Sequence, residues 1–583
     1  MENAGRLILQ DLIRRFTPFL SWIGLIKDKD ILKTDAMAGL TVALVLVPQS
    51  MAYAQLAGLP SYVGLYAAFL PTMIAAIFGS SNQLATGPVA IASLMTAAAL
   101  EPLAIQNPDS YMAYAAILAI MVGVIRLLIG LFHLGIMVDF LSHPVVVGFT
   151  NAAALIIASS QLPKIFGISV DKGNHQYEMV WNIIQGIQDT NLMTLAISII
   201  SISILLGVKK KKPKWPNVLI AVVICTLLSW AIGFEKMGGA VVGKIQGKLP
   251  GFDVPDVELS YVSDLFVPAL VIALLGFVEA VSIAKAIASQ TRQRVSVNQE
   301  LVGQGLANIV SGFFHGYVVS GSFSRSAVNF SANAKTGWSS IITGLIVAAT
   351  LLFLTPLLYH LPQATLAAVI MAAVINLIKF SPIKHAWKVH PHDGFVGVLV
   401  FVVTLITAPS IEKGVVSGVI FSLVLYLYRT MHPHFAEVAR HEDGTLRNVS
   451  LFGLETSDTV SIYRYDGDLY FANTGYLEQK ILNGISEKKN IKVIVLDLEA
   501  ADQVDATGED MLEKLVDRLK AVGIELYIAR SKDHIYKTFE RSGLIARLGA
   551  DHFFRERTLA IQQAKERFGP DIDIEPYLKK KPA

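Results

Sequence analysis

The sequence predicts a polytopic α-helical membrane domain followed by a soluble α/β domain. Three observations predict it. Hydrophobic residues make up 53% of the 583, above the share in soluble domains. No Asp, Glu, Lys or Arg occurs from Ala36 to Leu100, and about 20 apolar residues suffice to cross a bilayer as helix. Charged residues then become frequent after Thr430. The expected division is 1–34 as an N-terminal cytoplasmic or interfacial segment, 35–430 as the membrane domain, 431–570 as the soluble domain with its linker, and 571–583 as a tail.

The first residues, Arg6 to Lys27, mix Leu, Ile, Phe and Trp22 with Arg14 and Arg15. They lack the apolar core and small-residue cleavage site of a signal peptide and read as an interfacial amphipathic helix. Apolar runs bounded by Gly, Pro and charge then give fourteen spans, starting near residues 36, 62, 88, 111, 136, 193, 217, 265, 301, 321, 338, 363, 394 and 412. The rule that basic loops stay inside tests this count. With the N-terminus inside, the loops carrying Lys209 to Lys212 with Lys214, Arg292 with Arg294, Lys335, and Lys379 with Lys384 and Lys388 all fall cytoplasmic, as does Arg429. The loop with Glu101 and Asp109 falls outside. So do Lys236, Lys244 and Lys248, accompanied by Glu235, Asp253, Asp256, Glu258 and Asp264. Both termini are therefore expected in the cytoplasm, with the chain in a cell (inner) membrane. Arg126, Asp139, His143 and Glu412 lie near predicted span ends and read as interface anchors, and Lys285 as a snorkelling side chain.

In the soluble part, Val460 to Tyr465, Lys492 to Leu498 and Glu525 to Ala529 read as strands. Gly508 to Ala521 carries Met511, Leu512, Leu515, Val516 and Leu519 at helical spacing.

Several functions are disfavoured. The net charge is only +3, and the basic residues sit beside apolar segments rather than among aromatics, so no nucleic-acid partner is expected. Cys225 stands alone, which excludes disulfides within the chain and multi-cysteine metal sites. His432 and His434 lack a partner cluster, so no metal or other cofactor is expected. No nucleophile, base and third group recur at a readable spacing, which argues against an enzyme.

Two short segments, Ala85-Thr86-Gly87-Pro88-Val89-Ala90 and Val319-Ser320-Gly321-Ser322-Phe323-Ser324-Arg325-Ser326, sit at similar depths of the two halves. Both read as helices that begin inside the membrane, with Pro88 in a first turn where its missing N–H costs nothing. Free N–H donors and the positive ends of two helix dipoles would make an anion site there. Ser322 and Ser324 add hydroxyls, and Arg325 adds a fixed charge or a bidentate contact to an oxyanion. Glu279 lies inside an apolar span, where a carboxylate must be paired, protonated or facing water. It either carries a proton with the substrate or balances Arg325. Gln49 and Tyr53, four residues apart on the first span, share a helix face and could line a polar cavity beside the site.

These residues carry a family resemblance. The run Val47-Pro48-Gln49-Ser50-Met51-Ala52-Tyr53-Ala54, continuing through Ala57-Gly58-Leu59-Pro60 and Gly64-Leu65-Tyr66, resembles the signature of the SulP sulfate permeases. Phe78-Gly79-Ser80-Ser81, Gly87-Pro88-Val89-Ala90, Glu279-Ala280-Val281-Ser282-Ile283-Ala284-Lys285, Asn298-Gln299-Glu300-Leu301, Gly305-Leu306-Ala307-Asn308 and Ser324-Arg325-Ser326 follow in the family's order. The resemblance implies fourteen spans as 7+7 inverted repeats, a core domain moving against a gate domain in an elevator-like cycle, and homodimers. It also implies that the third and tenth spans are the half-helices that hold the anion, which makes Gly87, Pro88, Val89 and Ala90 with Ser322, Phe323, Ser324 and Arg325 the expected binding residues. The tail resembles a STAS domain, with Leu496-Asp497-Leu498 as a central strand and Asp505-Ala506-Thr507-Gly508 at the next helix start. Thr507 matches a position phosphorylated in related anti-sigma-factor antagonists, which makes it a regulatory candidate, although it reads more simply as a helix-cap neighbour.

The function expected is secondary active transport of a small oxyanion, sulfate first, coupled to protons through Glu279. A sodium-coupled bicarbonate symporter is the alternative. That branch has Asp at the place of Glu279 and Thr four residues later, where this chain has Ile283. Dicarboxylate uptake and anion exchange are further options. A reading from another class makes the chain a membrane-anchored signalling protein that works through its STAS domain and a cytoplasmic partner.

Overall fold

A computed structural model describes residues 18–106, 110–136, 141–171, 175–212, 215–245, 247–256, 259–488 and 490–578. The predicted N-terminal helix up to residue 17, the anchor Asp139 and the loop residues Asp109, Lys214 and Glu258 lie outside the described residues. The chain forms two compact units that part between Ser422 and Leu423.

The first unit is helical. Its helices are α1 (Lys29–Leu56), α2 (Ser61–Phe78), α3 (Ala90–Gln106), α4 (Tyr111–Leu131), α5 (His143–Phe166), α6 (Gln176–Gly186), α7 (Leu192–Lys211), α8 (Asn217–Ile232), α9 (Leu259–Thr291), α10 (Val297–Phe313), α11 (Phe323–Ser331), α12 (Trp338–Ala349), α13 (Gln363–Val374), α14 (Ser381–Val389), α15 (Pro391–Thr407) and α16 (Glu412–Met431). Among the described residues nine helices are long and apolar enough to cross a membrane, and three shorter apolar ones accompany them. Most predicted starts fall on or near a helix start. Three lie six or seven residues away, at α1, α5 and α9, the first two for a local reason. The Asp28 side chain accepts the Asp30 N–H at 2.9 Å and caps α1 upstream of its apolar stretch. Ser142 and Pro144 delay α5 to His143.

Packing sorts these helices into two groups. α1 to α4 pack chiefly with α9 to α12, whereas α5, α7 and α8 pack with α13 to α15. The tightest seam, α4 against α10, is lined by small residues. A Cβ on Gly123 would lie 2.7 Å from the Gly305 carbonyl oxygen, and one on Gly305 would lie 2.7 Å from the Leu127 nitrogen. Without side chains at these positions the two backbones can touch, which is how helices pack where no water drives association.

The second unit is a six-stranded sheet in the order β4-β3-β5-β6-β7-β8. Its strands are β3 (His434–Arg440), β4 (Leu446–Asn448), β5 (Val460–Asp466), β6 (Val493–Asp497), β7 (Glu525–Ala529) and β8 (Phe553–Phe554). β5 to β8 run parallel and β3 is antiparallel to both its neighbours. Parallel strands need cover on both faces, and alternation supplies two cores. Ile494 and Leu496 pack with Leu477, Leu512, Leu515 and Phe539 on one side. Val493 and Val495 pack with Ala560, Ile561 and Ala564 on the other. The predicted strands and helix lie here, the helix as α17 (Ala506–Ala521). The tail expected from 571 is part of this fold. Ile572, Ile574 and Tyr577 join the second core, and the Tyr577 hydroxyl donates to the Val460 carbonyl at 2.8 Å.

Candidate functional site

The two short segments singled out from the sequence meet. Thr86–Gly87 (β1) and Ser320–Gly321 (β2) form an antiparallel two-residue ladder, with Thr86 opposite Gly321 and Gly87 opposite Ser320. Two further bonds extend it: the Ser322 N–H donates to the Ala85 carbonyl at 2.9 Å, and the Ala85 N–H to Ser326 Oγ at 2.8 Å. Since the strands are antiparallel, α3 and α11 leave the ladder in opposite directions with both N-terminal ends at it. First-turn N–H groups have no acceptor within their own helix.

Pro88 departs from its expected place. Ser93 N–H and Ser93 Oγ both donate to the Val89 carbonyl, at 3.0 and 2.8 Å, so Val89 caps a helix that starts at Ala90. The ladder holds Gly87, and the helix begins only after Pro88 and Val89. Val89 and Ala90 are buried. On the other side Ser322 caps α11, its Oγ accepting from the Arg325 N–H at 3.5 Å. Ser322 Oγ and Ser324 Oγ are 3.4 Å apart. Ser322 is buried, Ser324 is exposed, and Phe323 is 66% exposed.

Arg325 is fully buried. Its Nη1 donates to Gln49 Oε1 at a long 3.4 Å, and its Nε and Nη2 have no hydrogen-bond partner among the described residues. A Cβ on Gly87 would stand 3.3 Å from Nη2, so the missing side chain at 87 leaves the guanidinium its room. Tyr53, Tyr317 and Glu279 lie within electrostatic reach of Arg325. Gln49 and Tyr53 are buried on α1, one turn apart. Glu279 is half-buried on α9 and feels both Arg325 and Arg126, but forms no ion pair within 4 Å among the described residues. Of the two alternatives read from the sequence, the direct ion pair with Arg325 is not the arrangement found.

Several residues that hold this site were not recognised from the sequence. Arg126, expected at an interface, is fully buried within α4. It donates to the Ile272, Ala273 and Val319 carbonyls, each at 3.1 Å. A Cβ on Gly276 would lie 2.2 Å from its Nη2, so glycine there admits the guanidinium. Asn308 bonds both backbone groups of Val319, each at 2.9 Å. Gln304 donates to Thr86 Oγ1 at 2.6 Å, Thr72 Oγ1 to the Thr86 carbonyl at 2.9 Å, and Ser320 Oγ to the Gly276 carbonyl at 2.8 Å. Tyr317 is buried with its hydroxyl 3.0 Å from Ser93 Oγ. The available signal was a polar residue every turn on the apolar helix α10, at Gln304 and Asn308. His143 and Glu412 do open α5 and α16. Lys285 is exposed.

In the second unit Asp505 caps α17, accepting the Gly508 N–H at 2.7 Å. Thr507 is exposed in the first turn.

Comparison with known proteins agrees in both units. Residues 32–404 match the model of the sulfate permease family, and 452–558 match that of the STAS domain. The chain is 34% identical to sulfate transporter 4.1, chloroplastic, of Arabidopsis thaliana over 569 residues, covering 94% of this chain and 82% of the relative. It is 33% identical over 547 residues to a probable sulfate transporter of Mycobacterium tuberculosis, covering 92% and 96%. Among solved structures it is similar to the murine solute carrier 26 family member A9 anion transporter in the inward-facing state, with a TM-score of 0.88, 25% identity and 95% of each chain covered. The transmembrane domain of a cyanobacterium bicarbonate transporter shares the fold, with a TM-score of 0.59, 23% identity, and 67% of this chain and 97% of the other covered.

Proposed function

Because the chain belongs to the sulfate permease family and carries a STAS domain, we propose that it moves a small inorganic oxyanion, sulfate first, across the membrane by secondary active transport. One observation carries the reading: the fully buried Arg325 guanidinium whose Nε and Nη2 lack a partner among the described residues. A buried charge without compensation costs several kcal/mol, and a guanidinium edge with two N–H groups matches two oxygens of a tetrahedral oxyanion. On this reading the anion sits at the ladder. The first turns of α3 and α11 lend N–H groups, Gly87, Pro88, Val89, Ala90, Ser322, Phe323 and Ser324 form its surroundings, and Gln49 and Tyr53 face it from α1.

Glu279 is the coupling residue. A divalent anion beside one guanidinium leaves an excess negative charge, and a carboxylate nearby would add to it. A proton on Glu279 removes that repulsion, so substrate and proton bind together. The lack of a direct ion pair leaves the carboxylate open to protonation.

The movement is elevator-like: α1 to α4 with α9 to α12 shift as one body against the remaining helices. The named sulfate transporters among the relatives favour sulfate over bicarbonate, dicarboxylate or an exchanged anion, and Ile283 disfavours sodium. The protein works as a homodimer in a cell (inner) membrane with both termini cytoplasmic, and the STAS domain offers a cytoplasmic partner its surface. The test is uptake into liposomes holding the purified protein, comparing radiolabelled sulfate, bicarbonate, succinate and chloride under imposed proton or sodium gradients. Proton-driven sulfate uptake is expected. Transport of none of these anions overturns the reading.

A further inference from the structure

We propose a second anion site, which collects hydrated oxyanions before they reach Arg325; this rests on the reading of the chain as an anion carrier. A cavity of about 340 Å³ opens where the C-terminal end of α1, the start of α2, the last turn of α5 and the start of α13 come together, and Gln55, Ser61, Tyr62, Lys164, Lys244 and Gln363 contribute to its wall. Its charged members are two lysines, and no carboxylate lines it among the described residues. It lies on the face that the loop charges assign to the outside.

The wall is built rather than incidental. Lys164 Nζ donates to Gln55 Oε1 at 3.2 Å, and Gln55 Nε2 donates to Ser61 Oγ at 2.8 Å, which closes the wall across α5, α1 and α2 in this arrangement of the helices. The loop that bears Lys244 is pinned by backbone bonds. Val242 N–H reaches the Leu361 carbonyl at 2.9 Å, Gly243 N–H the Tyr359 carbonyl at 3.1 Å, and Gln363 N–H the Ala240 carbonyl at 2.9 Å. Nearby acids are drawn elsewhere: Glu235 accepts from the Tyr359 hydroxyl at 3.2 Å, and Asp253 lies 3.9 Å from His315. Among the described residues Lys244 is the one charged member of this outer segment that lines the cavity.

Volume and position say what the site does. At roughly 30 Å³ per water, the cavity holds a small oxyanion together with part of its hydration shell, so capture is electrostatic and loose. Gln55 lies on the same helix as Gln49, which bonds Arg325, at a separation of about 9 Å along the axis at roughly 1.5 Å per residue. The cavity thus lies within about two helical turns of Gln49 along α1.

The experiment measures initial sulfate uptake by the full chain in phosphatidylcholine liposomes. Lys164→Gln and Lys244→Gln should each raise KM about three- to tenfold at roughly 0.01 M ionic strength and leave Vmax within about twofold. Lysine-to-arginine replacements should keep the parent KM, and the shift should vanish near 1 M salt, where the Debye length falls to about 3 Å. An unchanged KM, or a shift that persists at high salt, overturns the proposal. So does a shift seen only when anionic lipid is added, which would make the occupant a lipid headgroup.

A second arm needs no transport, and so separates failure of this site from failure of the proposed function. Cys225 is the sole cysteine, so Lys244→Cys in a Cys225→Ser background leaves one thiol beside Lys164. An anionic methanethiosulfonate should label it about tenfold faster than a cationic one at low salt, and sulfate should slow the reaction. Equal rates, insensitive to sulfate, overturn the site whatever the uptake result.

Discussion

Arg126 and Arg325 are both fully buried, yet their bonding sets them apart. Arg126 gives a hydrogen bond from each of its three nitrogens to a carbonyl, so Arg126→Met removes three charge-assisted bonds at ~1.5–3 kcal/mol each, although the Val319 carbonyl keeps Asn308. Folded protein should be largely lost, read by size-exclusion chromatography. Arg325→Met removes a charge with two unpartnered nitrogens, so its melting temperature should equal or exceed that of the parent, while uptake and the stabilisation by added sulfate both disappear. A cooperative, active Arg325→Met protein would refute the assignment of this side chain. Glu279→Gln should leave uptake possible but independent of the imposed proton gradient; unchanged proton drive would show that coupling lies elsewhere. Arg325 was legible because it follows a Gly-Ser helix start. Arg126 was misread because its position along an apolar run says how near it is to a span end, but not that three carbonyls wait for it on α9 and before β2.

The elements repeat this lesson at larger size. Hydropathy reads burial and length, so the long helices were legible, along with β5, β6 and β7. It does not read caps, and α1 and α5 therefore start seven residues from where they are expected, and α3 two. Nor does it read seams. The Gly305-Leu306-Ala307-Asn308 motif was visible as a pattern, but its sense appears only when α10 lies on α4: one face of that short run supplies backbone contact and the other supplies Asn308 to Val319. Gly305→Ala puts a methyl 2.7 Å from the Leu127 nitrogen, a backbone atom that cannot rotate away. The expected cost is ~1–3 kcal/mol, seen as a lower melting temperature in detergent with the second unit unaffected. A substitution without effect would mean that the seam has slack.

The whole chain divides into two units with separate cores, and two unfolding transitions are expected. Leu515→Ala empties a fully buried position in the second unit at ~2–5 kcal/mol, so calorimetry should show one transition lowered and the other fixed; a joint shift would reveal a single cooperative block. That the first unit spans a membrane and the second does not was legible from composition. That residues 572–577 complete the second core was not, because three apolar side chains in a charged tail carry no period. The ladder between Thr86–Gly87 and Ser320–Gly321 bears on how the protein is made. At about 5–20 residues per second, a ribosome that has finished Gly87 needs roughly 10 to 50 s more to deliver Ser320. Throughout that interval the first strand has no partner to pair with, so the nascent chain holds half of the ladder in the bilayer until its second half arrives, and a product stalled before Ser320 never completes it.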